Sequence, residues 1–372
     1  MLKKETMDTN SQLLSPLNTE RLSLKNKVVM APLTRSRATQ EHIPTAIMSL
    51  YYGQRAGAGL IITEGTAPSP NGVGYARIPG IYNSDQVEAW KPATEAVHNK
   101  GSKIFMQLMH TGRISHPDNM PEGAKILAPS AIQPEDTKMY VDGKGELEIP
   151  EPAAMTQDDI NTVIEEYVQA AKNAIEAGFD GVEVHSANGY LLDQFVNAGT
   201  NKRTDNYGGS AENRSRLTLE VTAKVIEAIG KDKVGIRLSP NGAMNDLGPF
   251  EGQEETFNYL SKELEKLDVL YIHLVNHGSM GAPALPDDIR TNIRDNYNGL
   301  LILSGGYDAQ EANKDLEDKK GNLIAFGRKF IANPDLVTRF EKDASLNEPD
   351  QDTFYTPGKE GYTDYPTLEE SK

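Results

Sequence analysis

The sequence has no cysteine. Disulfides, thiolate metal sites, cysteine-held iron–sulfur clusters and a cysteine nucleophile are therefore excluded. No apolar run reaches the roughly 18 residues needed to span a bilayer. The opening stretch, Met1 to Ser15, is polar and lacks the apolar core of a secretion signal, so a cytoplasmic location is expected. Positive charge is scarce: 38 Lys and Arg stand against 54 Asp and Glu, a formal net charge of -16. Nucleic acids and anionic membranes need basic surface, and neither is expected as a partner. No G-x-G-x-x-G follows any strand-like run, so a doubly wound dinucleotide-binding sheet lacks its fingerprint. Heptads and low-complexity repeats are absent too, and no metal is expected.

What remains is a repeated alternation of short apolar runs and amphipathic segments. The runs are Val28–Ala31, Leu60–Ile62, Lys103–Leu108, Gly181–Val184, Val234–Leu238, Val269–Leu274, Leu300–Leu303 and Leu323–Phe326. Helical spacing follows them over 45–56, 85–100, 156–177, 213–229, 253–267, 287–295, 309–317 and 334–340. Eight strands alternating with helices predict the α/β class and a (β/α)₈ TIM barrel. Pro16, Asn18 and Asn26 between apolar pairs predict an N-terminal hairpin below it. The stretch 111–151 is rich in Pro, Gly and charge, and is too long for an ordinary loop. It reads as a functional insertion after strand three, with short strands of its own. One domain spanning 1–372 is expected, with the barrel at about 28–342.

The fourth strand leads into His185, Asn188 and Tyr190. In a parallel barrel the strand ends carry the chemistry. His185 and Asn188 can both donate to one oxygen, as polarising a carbonyl or nitro group requires. Tyr190, with an ordinary pKa near ~10, is a proton source rather than a base. The bland alternative is a satisfied histidine, an Asn-Gly turn and an anchoring tyrosine.

A second set follows strands seven and eight: Ser304, Gly305 and Gly306, then Gly327 and Arg328. This is where barrels of this kind bind phosphate. Glycines let backbone N–H groups close on the anion, and arginine adds a bidentate clamp. The ligand is either a phosphorylated substrate or a phosphate-bearing cofactor. Thr34, Gln107 and Arg237 add polar groups at other strand ends, suited to a planar heterocycle with carbonyls and ring nitrogens. Arg237 could equally pair with barrel carboxylates. Glu183 falls where a buried barrel layer is expected.

These residues resemble the Old Yellow Enzyme family of FMN-dependent ene-reductases, over about Leu14 to Leu368. The marks are Val29–Arg35, Gln107–His110, His185-Ser-Ala-Asn-Gly-Tyr-Leu-Leu-Asp-Gln-Phe195, Arg203-Thr-Asp-Asn-Tyr-Gly-Gly-Ser210, and Ser304-Gly-Gly with Gly327-Arg. The resemblance implies bound FMN, with NADPH or NADH as reductant. Pro32, Leu33, Thr34, Ala67, Gln107 and Arg237 would surround the flavin ring; Ser304, Gly305, Gly306, Gly327 and Arg328 would hold its phosphate. His185 and Asn188 would grip the substrate oxygen, Tyr190 would give the proton, and Tyr75, Met109 and Tyr355 would wall the pocket. Substrates would be α,β-unsaturated carbonyl, maleimide or nitro compounds, and the assembly a monomer or homodimer. Met109 stands where the family often has tryptophan, which implies an altered pocket wall. Asn188 stands where some members have a second histidine. Thr34, in place of a cysteine, fits the classical branch, which includes N-ethylmaleimide and oxophytodienoate reductases.

Two other readings compete. A cofactor-free barrel aldolase or isomerase would explain a phosphate site, but no Schiff-base lysine or base carboxylate stands out at a strand end. A flavin-storage protein would bind FMN without turnover.

Overall fold

Eight aliphatic runs become eight parallel strands in a computed structural model that describes residues 11–370. They are β1 (Val28–Met30), β2 (Leu60–Ile62), β3 (Lys103–Leu108), β4 (Gly181–Ser186), β5 (Val234–Leu238), β6 (Tyr271–Val275), β7 (Leu300–Ser304) and β8 (Leu323–Phe326). Each pairs with the next, and β8 returns to β1, closing the barrel. Strand six lies two residues later at its start than its composition suggests. Val269 and Leu270 lead into it, and the Leu270 N–H already donates to the Val234 carbonyl.

The helices are α1 (Ala46–Gln54), α2 (Ser84–His98), α3 (Gln157–Glu176), α4 (Leu191–Val196), α5 (Ala211–Ile229), α6 (Gln253–Lys266), α7 (Asp287–Asn296), α8 (Ala309–Glu317), α9 (Arg328–Ala332) and α10 (Leu336–Glu341). Their starts follow ordinary capping rules. Thr156 and Asp159 form a reciprocal capping box on α3, and Asp308 and Glu311 do so on α8. The weakly patterned α7 forms because Asp287 and Asp288 sit in its first turn and Ile289 and Ile293, four apart, are buried. Two short helices, α4 and α9, have no counterpart in the sequence reading. Every residue of α4 is buried, so apolar periodicity could not show a face.

Side chains fill the barrel in layers set by the strand register. Gln107, Glu183, Gly235, Tyr271 and Leu300 align at one level. His185, Arg237, His273 and Ile302 align at the next, nearer the C-terminal ends. Gly235 is required here, because a Cβ would lie 2.1 Å from the Tyr271 ring. Below, Leu22 and Leu24 of the N-terminal hairpin (Leu17–Asn18 with Ser23–Leu24) pack with Val29, Leu60 and Phe105. The hairpin therefore plugs the barrel bottom.

The insertion carries a hairpin, Lys138–Val141 with Gly145–Glu148. A short parallel pair, Leu127–Ala128 with Ala153–Ala154, closes its base. Met139 and Ile149 join Ala67, Met109 and Tyr190 in one apolar cluster. The insertion thus builds part of the barrel mouth. The C-terminal segment is fastened to the first strand's loop by buried arginines. Arg35 donates to the Phe354 and Gly361 carbonyls at 3.0 and 2.8 Å, and Arg37 donates to Phe354 O at 2.7 Å. No helix of the described residues is long and apolar enough to cross a membrane.

Candidate active site

The chain leaves β4 through His185 and turns at Asn188, whose φ of +59° is the left-handed conformation that asparagine tolerates. Tyr190 then caps α4, whose burial fixes the exit direction. The turn brings the rings of His185 and Tyr190 to 5.1 Å, edge to face. The hydroxyls of Tyr190 and Tyr75 are 3.1 Å apart. Burial pushes the Tyr190 pKa above its ordinary value, so the hydroxyl holds its proton more firmly than the sequence alone implies. Burial, with the charges of Arg237 and His273, drives His185 well below the usual histidine range. His185 is therefore neutral at physiological pH, with one N–H to give. Its buried Nδ1 has no partner among the described residues.

Several residues that hold this turn carry no local signal in the sequence. Ser239, past β5, accepts the Asn188 N–H at 2.8 Å. Asn245 donates to the Asn188 carbonyl at 2.8 Å, and its amide lies close enough to the Tyr75 and Tyr190 hydroxyls to favour their ionised forms slightly against burial. Asp193 accepts the Gly189 N–H at 2.9 Å. His277, past β6, meets the Asn188 Oδ1 at 3.0 Å.

Asp193 gives a pH prediction. Burial raises its pKa to about 7. The native carboxyl thus keeps a proton that the unfolded chain releases near pH 4. Stability present below that pH is lost as the pH rises through about 7, by an amount on the order of 4 kcal/mol. Asp193→Asn is expected to raise the Tm by several degrees at pH 8, with no gain at pH 4. Thermal scans at the two pH values check this; an equal gain at both would show that ionisation is not the cause.

Beneath the turn lies a buried polar layer. Gln107 donates to Glu183 Oε1 at 2.8 Å, and His273 Nδ1 bonds Glu183 Oε2 at 2.9 Å. Burial pushes the Glu183 carboxyl up, but His273, Arg237 and the Gln107 amide outweigh it and hold the pKa below the usual range. Glu183 is thus the buried layer residue that its pleat position suggests. Arg237 is its countercharge at longer range; no ion pair within 4 Å joins them among the described residues. The Arg237 Nε is buried without a partner.

The second set sits at the barrel rim. Gly327 approaches Leu33, where a Cβ would lie 3.4 Å from Leu33 Cδ2. Gly306 is exposed, at φ +86°, and Gly305 is half-buried beside Asn276. Arg328 is exposed and reaches the Ser279 carbonyl at 3.5 Å. Ser304 differs from the others: it is buried, its hydroxyl donates to the Leu274 carbonyl at 3.1 Å, and its carbonyl accepts the Asn276 N–H at 2.8 Å. Pro32 is buried, and Thr34 is half-buried with no hydrogen bond among the described residues. Ala67 and Met109 are buried in the apolar cluster with Tyr190 and Tyr75. Met109 lies against Gly65, where a Cβ would be 2.4 Å from its sulfur. Tyr355 is 60% exposed, yet near enough for its hydroxyl to raise the Tyr75 and Tyr190 pKa values.

The set fits a flat, phosphate-bearing group. Orphaned buried nitrogens on His185 and Arg237 point to a polar ligand, and the rim offers glycine N–H groups and an exposed guanidinium. Nothing in the set is a nucleophile. Such a mouth suits a barrel that works through a bound cofactor.

Comparison with known proteins gives the family. The model of the NADH:flavin oxidoreductase / NADH oxidase family matches residues 12–347. A putative 12-oxophytodienoate reductase 3 of Oryza sativa subsp. japonica is 43% identical, over 99% of this chain and 96% of its own length. A probable flavin mononucleotide-dependent alkene reductase of Leishmania infantum is 42% identical, over 96% of this chain and 97% of its own. The solved structure of morphinone reductase superposes with a TM-score of 0.93 at 45% identity, covering 98% of this chain and 99% of that one. The chain belongs to the NADH:flavin oxidoreductase / NADH oxidase family, within its Old Yellow Enzyme group. It is an FMN-dependent enzyme that takes its electrons from NAD(P)H, and the aldolase or isomerase reading is not favoured.

Proposed function

We propose that this ene-reductase binds the activating oxygen of an electron-poor alkene between His185 and Asn188, and protonates the alkene from Tyr190. The substrate class is α,β-unsaturated carbonyl, maleimide or nitro compounds. The observation that carries the reading is one turn holding a neutral histidine, an asparagine pinned from the loops after β5 and β6, and a tyrosine whose proton is firmly held.

FMN, when bound, supplies a site that accepts hydride from NAD(P)H and returns it to the β-carbon of the alkene. Gly305, Gly306, Gly327 and Arg328 would hold its phosphate. Thr34 and Gln107 would meet the carbonyl edge of the ring, and Pro32, Leu33 and Ala67 would line it. Arg237 would supply positive charge where the ring gains negative charge. His185 and Asn188 draw electron density from the double bond through the substrate oxygen. Tyr190 hands its hydroxyl proton to the α-carbon, and a proton from solvent restores it by way of the Tyr75 hydroxyl, 3.1 Å away. Met109 and Tyr355 wall the pocket. All of this is built on a single FMN-binding barrel domain.

The test is the anaerobic visible spectrum of the purified protein, before NADPH, after NADPH, and after cyclohexenone. A yellow protein should bleach with NADPH and regain its colour with the enone. A flavin that bleaches and stays bleached with the enone, a maleimide and a nitroalkene alike would overturn the substrate class.

A further inference from the structure

Asn188 is held by three separate groups. Ser239 and Asn245 fix its backbone, as described. Its side chain is touched by His277, which comes from the loop after β6, 89 residues further along the chain. That loop is itself braced: Asn276 Oδ1 accepts the N–H groups of Gly278 at 2.9 Å and Leu285 at 3.1 Å. His277 is 3% exposed.

An asparagine amide has two chemically opposite edges. Its NH₂ edge donates to a carbonyl or nitro oxygen; its oxygen edge repels one. A rotation of 180° exchanges them, so a clamp built on asparagine needs something to choose the edge. The Asn188 Oδ1 lies 3.0 Å from His277 Nε2, and Nδ2 has no hydrogen bond among the described residues. The imidazole can act as donor or acceptor there, depending on its tautomer. Its other nitrogen decides the matter. Nδ1 is buried without a partner, against the Gly242 backbone, where a Cβ would lie 3.1 Å away. A proton on Nδ1 would be a buried, unpaired donor, whereas a proton on Nε2 is paired with Asn188. Burial, with the Arg237 charge, lowers the His277 pKa to about 4, so the ring carries one proton at neutral pH.

We propose that His277 is a positioning residue: its Nε2–H holds the Asn188 oxygen, so that the Asn188 NH₂ edge faces the oxygen of the substrate. This rests on the assignment of Asn188 to the oxygen clamp. The specificity consequence is direct. Ligands that present an acceptor oxygen are favoured, and ligands that present a donor at the same place are rejected.

The test uses the FMN-loaded enzyme and 4-chlorophenol, whose binding is read from the flavin's visible spectrum. The variants are Asn188→Ala, His277→Leu, His277→Gln and the double variant Asn188→Ala/His277→Leu. Asn188→Ala and His277→Leu should each weaken the phenol about tenfold. In the Asn188→Ala background, His277→Leu should change affinity less than about twofold, because the group it orients is gone. His277→Gln keeps an N–H donor and should retain most of the affinity. An equal loss from His277→Leu in both backgrounds would make its role merely structural and overturn the proposal. So would no loss at all beside a clear loss in Asn188→Ala. If Asn188→Ala itself leaves the affinity unchanged, the clamp assignment fails, and the proposal with it. Should His277→Leu lose its flavin, His277→Asn, polar but too short to reach Asn188, carries the same comparison.

Discussion

Tyr190→Phe is expected to slow alkene reduction by about 10²- to 10⁴-fold, the usual worth of a positioned proton donor, while flavin reduction by NADPH changes less than about twofold. The asymmetry follows from the geometry. Phenylalanine keeps the ring and its edge-to-face contact with His185 at 5.1 Å. It removes only the hydroxyl, which hydride transfer from nicotinamide does not use. The neighbouring Tyr75 hydroxyl does not take over, because it stands 3.1 Å from the position of the one removed, too far to make the same transfer. Stopped-flow measurement of each half-reaction checks this. Equal losses in both would take Tyr190 out of the proton step and leave it as a wall of the pocket.

The second large effect is expected at Gly306. Its φ of +86° suits glycine and strains any other residue, a β-branched one most. A Cβ there would lie 2.5 Å from the Ser279 Cβ and Oγ. Gly306→Val must therefore move the rim backbone, and the N–H groups offered to the phosphate move with it. Strain of about 1–3 kcal/mol plus one lost charge-assisted hydrogen bond predicts FMN binding weaker by about a hundredfold or more. Since Gly306 is exposed, the barrel itself should fold. Arg328→Ala should act in the same direction with a smaller loss, on the order of tenfold, because it removes one clamp and adds no strain. FMN titration into apoprotein, followed by fluorescence quenching, measures both. Unchanged affinity in both variants would move the phosphate to another part of the mouth.

The strands were legible because each is a short aliphatic run between breakers, and the barrel follows from eight of them in alternation with helices. The His185, Asn188 and Tyr190 triplet was legible because it lies on one continuous stretch. The residues that hold the triplet were not. Ser239, Asn245 and His277 sit in loops 51, 57 and 89 residues from Asn188. Their neighbours in sequence include Pro240, Asp246, Asn276 and Gly278, which read only as turns. The signal that singles them out is three-dimensional: a left-handed backbone at Asn188 that must be held from outside. Glu183 was placed in a barrel layer by its pleat position, but its partners His273 and Gln107 come from different strands and required the register. The short helix α4 was invisible because burial on every side leaves no amphipathic period.

The buried arginines that fasten the C-terminal segment also set an order of assembly. Arg35 bonds a carbonyl 319 residues ahead of it, and another 326 ahead. A ribosome makes the chain from its N-terminus, so Arg35 emerges long before either partner exists. Until this C-terminal segment has been translated and released, Arg35 and Arg37 lack the carbonyls they hold, and Tyr355 lacks its place beside Phe354. The barrel can close around its aliphatic layers earlier, since β8 ends at Phe326. The mouth is therefore the last region to be finished during synthesis, and a ribosome-bound chain with β8 just clear of the exit tunnel would present a closed barrel whose mouth still lacks its C-terminal segment.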